Sequence, residues 1–166
     1  PVIQDGQAIY AQIRVPRPWN GGSRYYNASD DLAANPRVAR CRPTRCLHPE
    51  VLVTEGHIDG LSAAAAGFRA VAVLGAGYPD ASVALNLARL PHPLVVVFAP
   101  DGQGRAGAER LAALLAHHQR APRLLELDEG DLNHTHQHSA DWSRELPARV
   151  RTADTRPARD APGLAR

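Results

Sequence analysis

The stretch Val51-Leu52-Val53-Thr54-Glu55-Gly56-His57-Ile58-Asp59 runs from four uncharged residues into an acid, a glycine and a second acid. It predicts a short buried strand ending at Glu55-Gly56. A helix follows from Ile58 to Ala66 and stops at Gly67, where a left-handed residue ends a helix without a Cβ clash. Working outward, the same alternation recurs. Ala70-Val71-Ala72-Val73-Leu74 is a second strand, closed by Gly75-Ala76-Gly77. A helix starts at Pro79-Asp80 and places Val83, Leu87 and Leu90 on one face. Leu94-Val95-Val96-Val97-Phe98 is the clearest strand, apolar on both faces as in a covered parallel sheet. After Asp101-Gly102-Gln103-Gly104, residues Ala108, Leu111, Ala112 and Leu115 recur at helical spacing. Arg123-Leu124-Leu125-Glu126-Leu127 is the fourth strand. This order predicts an α/β fold: a small four-stranded, mainly parallel sheet with helices on both faces.

Around this unit, residues 50–133, the chain changes character. Ile9-Tyr10-Ala11-Gln12-Ile13-Arg14 alternates like a strand and breaks at Pro16, Pro18 and Gly21-Gly22. From Arg24 to Pro49 the sequence is polar, Arg-rich and irregular, so residues 1–49 read as a basic N-terminal segment that enters the main domain through a loop. Residues 134–166 form an extension, and the stretch from Pro147 onward, rich in Arg, Pro, Ala and Asp, is expected to be disordered.

Composition sets outer limits. The formal charge is +2, yet all 19 cations are Arg. That bias suits a GC-rich coding sequence and equally suits phosphate binding, since a guanidinium contacts phosphate through two donors at once. No apolar run approaches the ~20 residues that span a bilayer. No basic-then-apolar leader is present, so a cytoplasmic protein without a membrane partner is expected. The start at Pro1 reads as that of a processed product or of a piece of something longer. Cys41 and Cys46, even with His48, fall short of the four ligands of a structural zinc site and read as unrelated thiols.

In open α/β sheets ligands bind beyond the carboxyl ends of the strands, and acids gather there: Glu55 after the first strand, Asp101 after the third, Asp128, Glu129 and Asp131 after the fourth. Asp59 lies one helical turn beyond Glu55. Glycines 56, 75, 77, 102, 104 and 130 flank these positions and let backbone approach a ligand closely. Each acid has a plain alternative as a helix-start or turn residue. Their joint placement after successive strands is what a hard, oxygen-seeking cation requires.

Those residues resemble a known family. Val53-Thr54-Glu55-Gly56-His57-Ile58-Asp59 is similar to the Glu-Gly-x-x-Asp signature of Toprim domains. Val96-Val97-Phe98-Ala99-Pro100-Asp101-Gly102-Gln103-Gly104-Arg105 resembles their second signature, Asp-x-Asp followed by glycine. Arg24-Tyr25-Tyr26-Asn27 is similar to the basic Tyr-Asn segment upstream of Toprim in DnaG-type primases of bacteria and phages, and Asp131-Leu132-Asn133 to the element after the last strand.

The resemblance implies a DNA primase, a nucleotidyltransferase making RNA primers in DNA replication. Its partners would be single-stranded DNA template, nucleoside triphosphates and a replicative helicase. Its cofactor would be Mg²⁺, or Mn²⁺. Glu55, Asp59 and Asp101 would be catalytic; Glu55, Asp101 and Asp131 would hold the metal; Arg24, Tyr26, Asn27 and Arg105 would contact nucleic acid or nucleotide, with Arg37, Arg40 and Arg42 on phosphates.

One position departs from the pattern: Ala99 stands where the family has the first Asp of the pair. Fewer negative ligands weaken a hard-cation site, so a degenerate, non-catalytic nucleic-acid-binding Toprim module is the alternative, with a Toprim nuclease behind it. His134, His136 and His138 alternate, and His117-His118 precede them. Such a tract can bind soft metals but reads first as solvated polar residues.

Overall fold

In a computed structural model, residues 1–15, 25–74 and 79–154 are described. Residues of the expected breaks at Pro16, Pro18 and Gly21-Gly22, together with Arg24, Gly75, Gly77 and the tail beyond 154, lie outside them.

The main sheet has five strands in the order β5-β7-β6-β8-β9. Strands β6 (Val51–Thr54), β7 (Arg69–Val73), β8 (Leu94–Val97) and β9 (Arg123–Leu124) run parallel, and β5 (Val38–Cys41) adds to β7 antiparallel. The α/β reading with a mainly parallel sheet therefore stands, with one strand more than expected. Strand β5 lies inside the segment read as a loop. Its alternation is genuine, with Ala39 and Cys41 buried and Arg40 exposed, but four residues flanked by arginines give too short a period to register. β9 is shorter than expected: the Leu125 N–H makes the last ladder bond, to the Val96 carbonyl at 2.9 Å, and Leu127 lies beyond the strand while remaining buried.

Strand residues alternate between two cores, as a period of two requires. Leu52, Val95 and Val97 pack with α1 (His57–Ala65), α4 (Leu132–His138) and α5 (Trp142–Thr152), through Ala63, Leu132, Trp142, Leu146 and Val150. Val51, Val53, Val71, Val96 and Phe98 face the other way, onto α2 (Ala81–Ala88) and α3 (Gly102–Ala116), meeting Val83, Leu87, Leu111 and Leu115. Two-sided cover explains why these strands carry almost no polar residues. Gly67 ends α1 at φ +86°, and a Cβ there would lie 2.9 Å from Leu47. Both facts exclude a side chain.

The N-terminal segment makes two antiparallel ribbons: β1 (Val2–Gln4) with β2 (Gln7–Tyr10), and β3 (Gln12–Arg14) with β4 (Tyr25–Asn27). Val2 and Tyr10 join Ala39, Ala72 and Leu74 in a third core.

Contrary to the expectation of a disordered tail from Pro147, residues 147–152 are helical. Trp142, Leu146 and Val150 form an i, i+4, i+8 stripe against the sheet, and Pro147 sits inside this helix. Arg123 fastens the helix end to β9 by donating to the Val150 carbonyl at 2.9 Å and to Glu50 at 3.0 Å. Leu146 is fully buried, so Leu146→Ala should cost about 2–5 kcal/mol in chemical denaturation. A loss below about 0.5 kcal/mol would be the value of an uncoupled surface position.

Candidate active site

Strand β6 lies between β7 and β8, and the chain reaches these neighbours through helices on opposite faces. The strand order therefore reverses beside β6, the place where open α/β sheets bind ligands in a crevice beyond the carboxyl ends of their strands. Glu55 follows β6 directly, and Ala99 lies just past β8. Their meeting is direct: the Ala99 N–H donates to Glu55 Oε2 at 3.4 Å.

Two further acids come to this crevice as helix caps. Asp101 Oδ1 accepts from the Gly104 N–H at 2.7 Å at the start of α3. Asp131 Oδ1 accepts from the His134 N–H at 2.6 Å at the start of α4. Capping satisfies amides that have no partner within the helix and fixes both carboxylates in place. Although the Glu55 side chain opens to solvent on one side, its pKa is pushed up, first by burial and then by the charges of Asp101 and Asp131. The Ala99 N–H pulls it down in part. The three acids expected to hold a metal thus share one electrostatic field. Among the described residues, no three His, Cys, Asp or Glu side chains stand close enough to enclose an ion.

The glycine of the second signature has a steric reason. A Cβ on Gly104 would lie 2.2 Å from the Ala99 carbonyl oxygen, so the first turn of α3 rests on the Ala99 backbone. Gly102, by contrast, has open space.

Asp59 does not stand free in the crevice. It is buried at 7% exposure and accepts from the Asn133 N–H at 2.9 Å. Ser62 Oγ donates to Asn133 Oδ1 at 3.3 Å, and Trp142 Nε1 donates to the Ser62 carbonyl at 2.7 Å. Asp59 therefore anchors the segment that carries Asp131. Ser62 and Trp142 carry no sequence signal for this role, because their partners lie 71 and 80 residues away.

The residues expected to contact nucleic acid are spread out. Arg105 is exposed in the first turn of α3, lining a small cavity of about 50 Å³ with Ala99, Glu109 and Glu126. Tyr26, at 47% exposure, sits opposite Ile13 on the second ribbon, and Asn27 accepts from Gln12 Nε2 at 3.0 Å. Arg37 is paired with Asp80 at 2.7 Å, whereas Arg40 and Arg42 line a cleft at the other end of the sheet. The cysteines are free, Cys41 buried and Cys46 exposed, and burial raises the Cys41 thiol to about 11. Burial likewise lowers His57. The histidine tract is helical, with His136 stacked on Trp142 at 5.0 Å and His134 beside His138 at 4.3 Å.

A family model described as Toprim-like matches residues 52–136, the span that holds Glu55, Asp59, Asp101 and Asp131. The chain belongs to the Toprim-like family. Its fold is that of DnaG-type primase catalytic cores. A DNA primase domain from Pseudomonas aeruginosa aligns with a TM-score of 0.72 and 24% identity, over 92% of this chain and 50% of that one. The Aquifex aeolicus primase, with its zinc-binding and RNA polymerase domains, gives 0.71 and 17%, over 90% and 38%. A DnaG primase catalytic domain bound to ssDNA gives 0.64 and 22%, over 89% and 48%. This Toprim chain thus spans about half or less of the length of those primase chains. No curated protein sequence matches it.

Two outcomes follow for the Toprim crevice. Because folding raises the Glu55 pKa above its ordinary 4.5, this group's stabilising contribution is complete below that value. It is lost as pH rises through the folded-state pKa. Without divalent ions, Glu55→Gln should therefore melt higher than the natural chain at pH 7, with the gap closing as pH falls towards 4.5. A natural chain that melts higher at pH 7 would contradict the shared field. Gly104→Ala should destabilise by about 1–3 kcal/mol through overpacking, whereas Gly102→Ala should be neutral or stabilising.

Proposed function

We propose that this Toprim domain is the catalytic module of a DNA primase-type nucleotidyltransferase, working on single-stranded DNA template with nucleoside triphosphates and Mg²⁺. The observation that carries the proposal is the placement of Glu55 at the switch point, its charge opposed by Asp101 and Asp131. The donors are of the type a hard cation takes, since all are carboxylate oxygens; they stand too far apart here to enclose one, and a bound divalent ion would offset their mutual repulsion. Glu55, Asp101 and Asp131 would hold Mg²⁺ or Mn²⁺, which when bound neutralises phosphate charge during phosphodiester formation.

The chain's own groups do the rest. A carboxylate with a raised pKa is a better proton acceptor near neutral pH, and the Ala99 N–H orients Glu55 by holding Oε2. Asp59 acts as a positioning residue, because its bond to the Asn133 N–H sets where Asp131 stands. Arg105 offers its guanidinium to phosphates from the rim of the crevice. The exposed Tyr26 ring can stack on a template base, next to Asn27 and, in sequence, Arg24. The ssDNA held by one of the matching primase domains supports this choice of template. A helicase partner belongs to the same reading.

Ala99 favours a second reading, a Toprim module that binds nucleic acid without catalysis. With an acid of the usual pair replaced, the remaining ligands hold a cation more weakly, and a working enzyme should need more Mg²⁺.

Primer synthesis by the full chain on a single-stranded template, across a Mg²⁺ titration, separates these readings. The catalytic reading expects synthesis that falls by about 10²-fold or more in Glu55→Gln and saturates at lower Mg²⁺ in Ala99→Asp. Synthesis only in Ala99→Asp would establish the binding module, and cleavage of the template instead of extension would establish a nuclease.

A further inference from the structure

Two clefts, of about 310 and 320 Å³, lie at the amino ends of the parallel strands, away from the carboxylates. One of them is lined by Arg40, Arg42, Arg69, Val51, Val71 and Leu90, with Cys46 on its wall. Register places it there: Cys41 pairs with Ala70 at the start of β7, while Val38 pairs with Val73 at its end. A four-residue strand at about 3.3 Å per residue separates the two ends of the sheet by roughly 13 Å. This cleft is therefore not an extension of the carboxylate crevice.

We propose that this cleft is a second ligand site, taking the phosphates of one free nucleoside triphosphate on Arg40, Arg42 and Arg69 and its base on the apolar floor. Three arguments combine. None of the three guanidiniums makes an ion pair or side-chain hydrogen bond among the described residues, whereas Arg37, Arg123 and Arg149 are each matched to an acid. The one acid beside Val51, Glu50, is already held by Arg123 at 3.0 Å. The carboxyl end of α2 near Leu90 opposes them with about half an elementary charge, which three cations outweigh.

The floor is apolar where Val51, Val71, Ala70 and Leu90 meet, and a mostly apolar pocket with a few charged groups is the usual make-up of a small-ligand site. At about 310 Å³ it is at the small end of the ~300–1,000 Å³ such sites occupy, and this favours a single nucleotide over a strand.

The site stands apart from the proposed catalysis, and its test avoids activity. Calorimetric binding of ATP to the full-length Glu55→Gln chain in EDTA removes the metal-dependent crevice from the measurement. Saturable binding at one site is expected. It should weaken about tenfold for Arg69→Gln and further for Arg40→Gln with Arg42→Gln, with melting temperature confirming that each variant folds. Bound ATP should also slow alkylation of the exposed Cys46 several-fold, while buried Cys41 stays unreactive throughout. Inorganic triphosphate binding as tightly as ATP would reduce the cleft to an anion site and overturn the nucleotide assignment. Oligo-dT that protects Cys46 from alkylation, and whose binding weakens in Arg69→Gln, would assign the cleft to a strand and overturn the proposal, as would no binding of ATP at all.

Discussion

Parallel pairing of β6 with β8, in the register Val51–Leu94 through Thr54–Val97, is the constraint on which the rest depends. It brings two chain exits side by side, so that Glu55 meets the Ala99 N–H. From Ala99 the chain turns at once into α3, whose first turn rests so closely on the Ala99 backbone that only glycine fits at position 104. A shift of one residue would move either Val53 or Val96 from one core to the other and would take Glu55 away from Ala99. The buried valines and the crevice are therefore set by the same alignment.

Electrostatics at the crevice pull in two directions. Burial and neighbouring charge raise the cost of ionising Glu55, and a further acid at position 99 would add to that cost. Alanine there eases the repulsion in the folded chain and at the same time weakens the attraction for a divalent ion. Asp59 lies outside this balance. It faces the backbone of Asn133 and acts on the site through geometry, tying α1 to the cap that holds Asp131.

The sheet also separates charge. Acids gather at the carboxyl ends of the strands, while Arg40, Arg42 and Arg69 gather at the other end around an apolar floor. A net charge of +2 conceals this polarity, because summing over the chain cancels two opposed ends of one domain.

The alternation of buried strands and amphipathic helices, the stop at Gly67 and the acids after successive strands were all legible in the sequence, because each rests on local periodicity or backbone geometry. Strand β5 and helix α5 were not. The first is an edge strand defined by its pairing with β7, and the second carries Pro147 yet is held by Leu146 and Val150 against a core assembled from distant residues. In the site, local pattern is enough to put Glu55, Asp101 and Asp131 at strand or helix ends. Folding between distant segments sets the charges of Asp101 and Asp131 against Glu55 and lets Asp59 accept from the Asn133 N–H. It alone gathered three arginines at the far end of the sheet, since each of these depends on contacts between segments that sequence spacing does not encode.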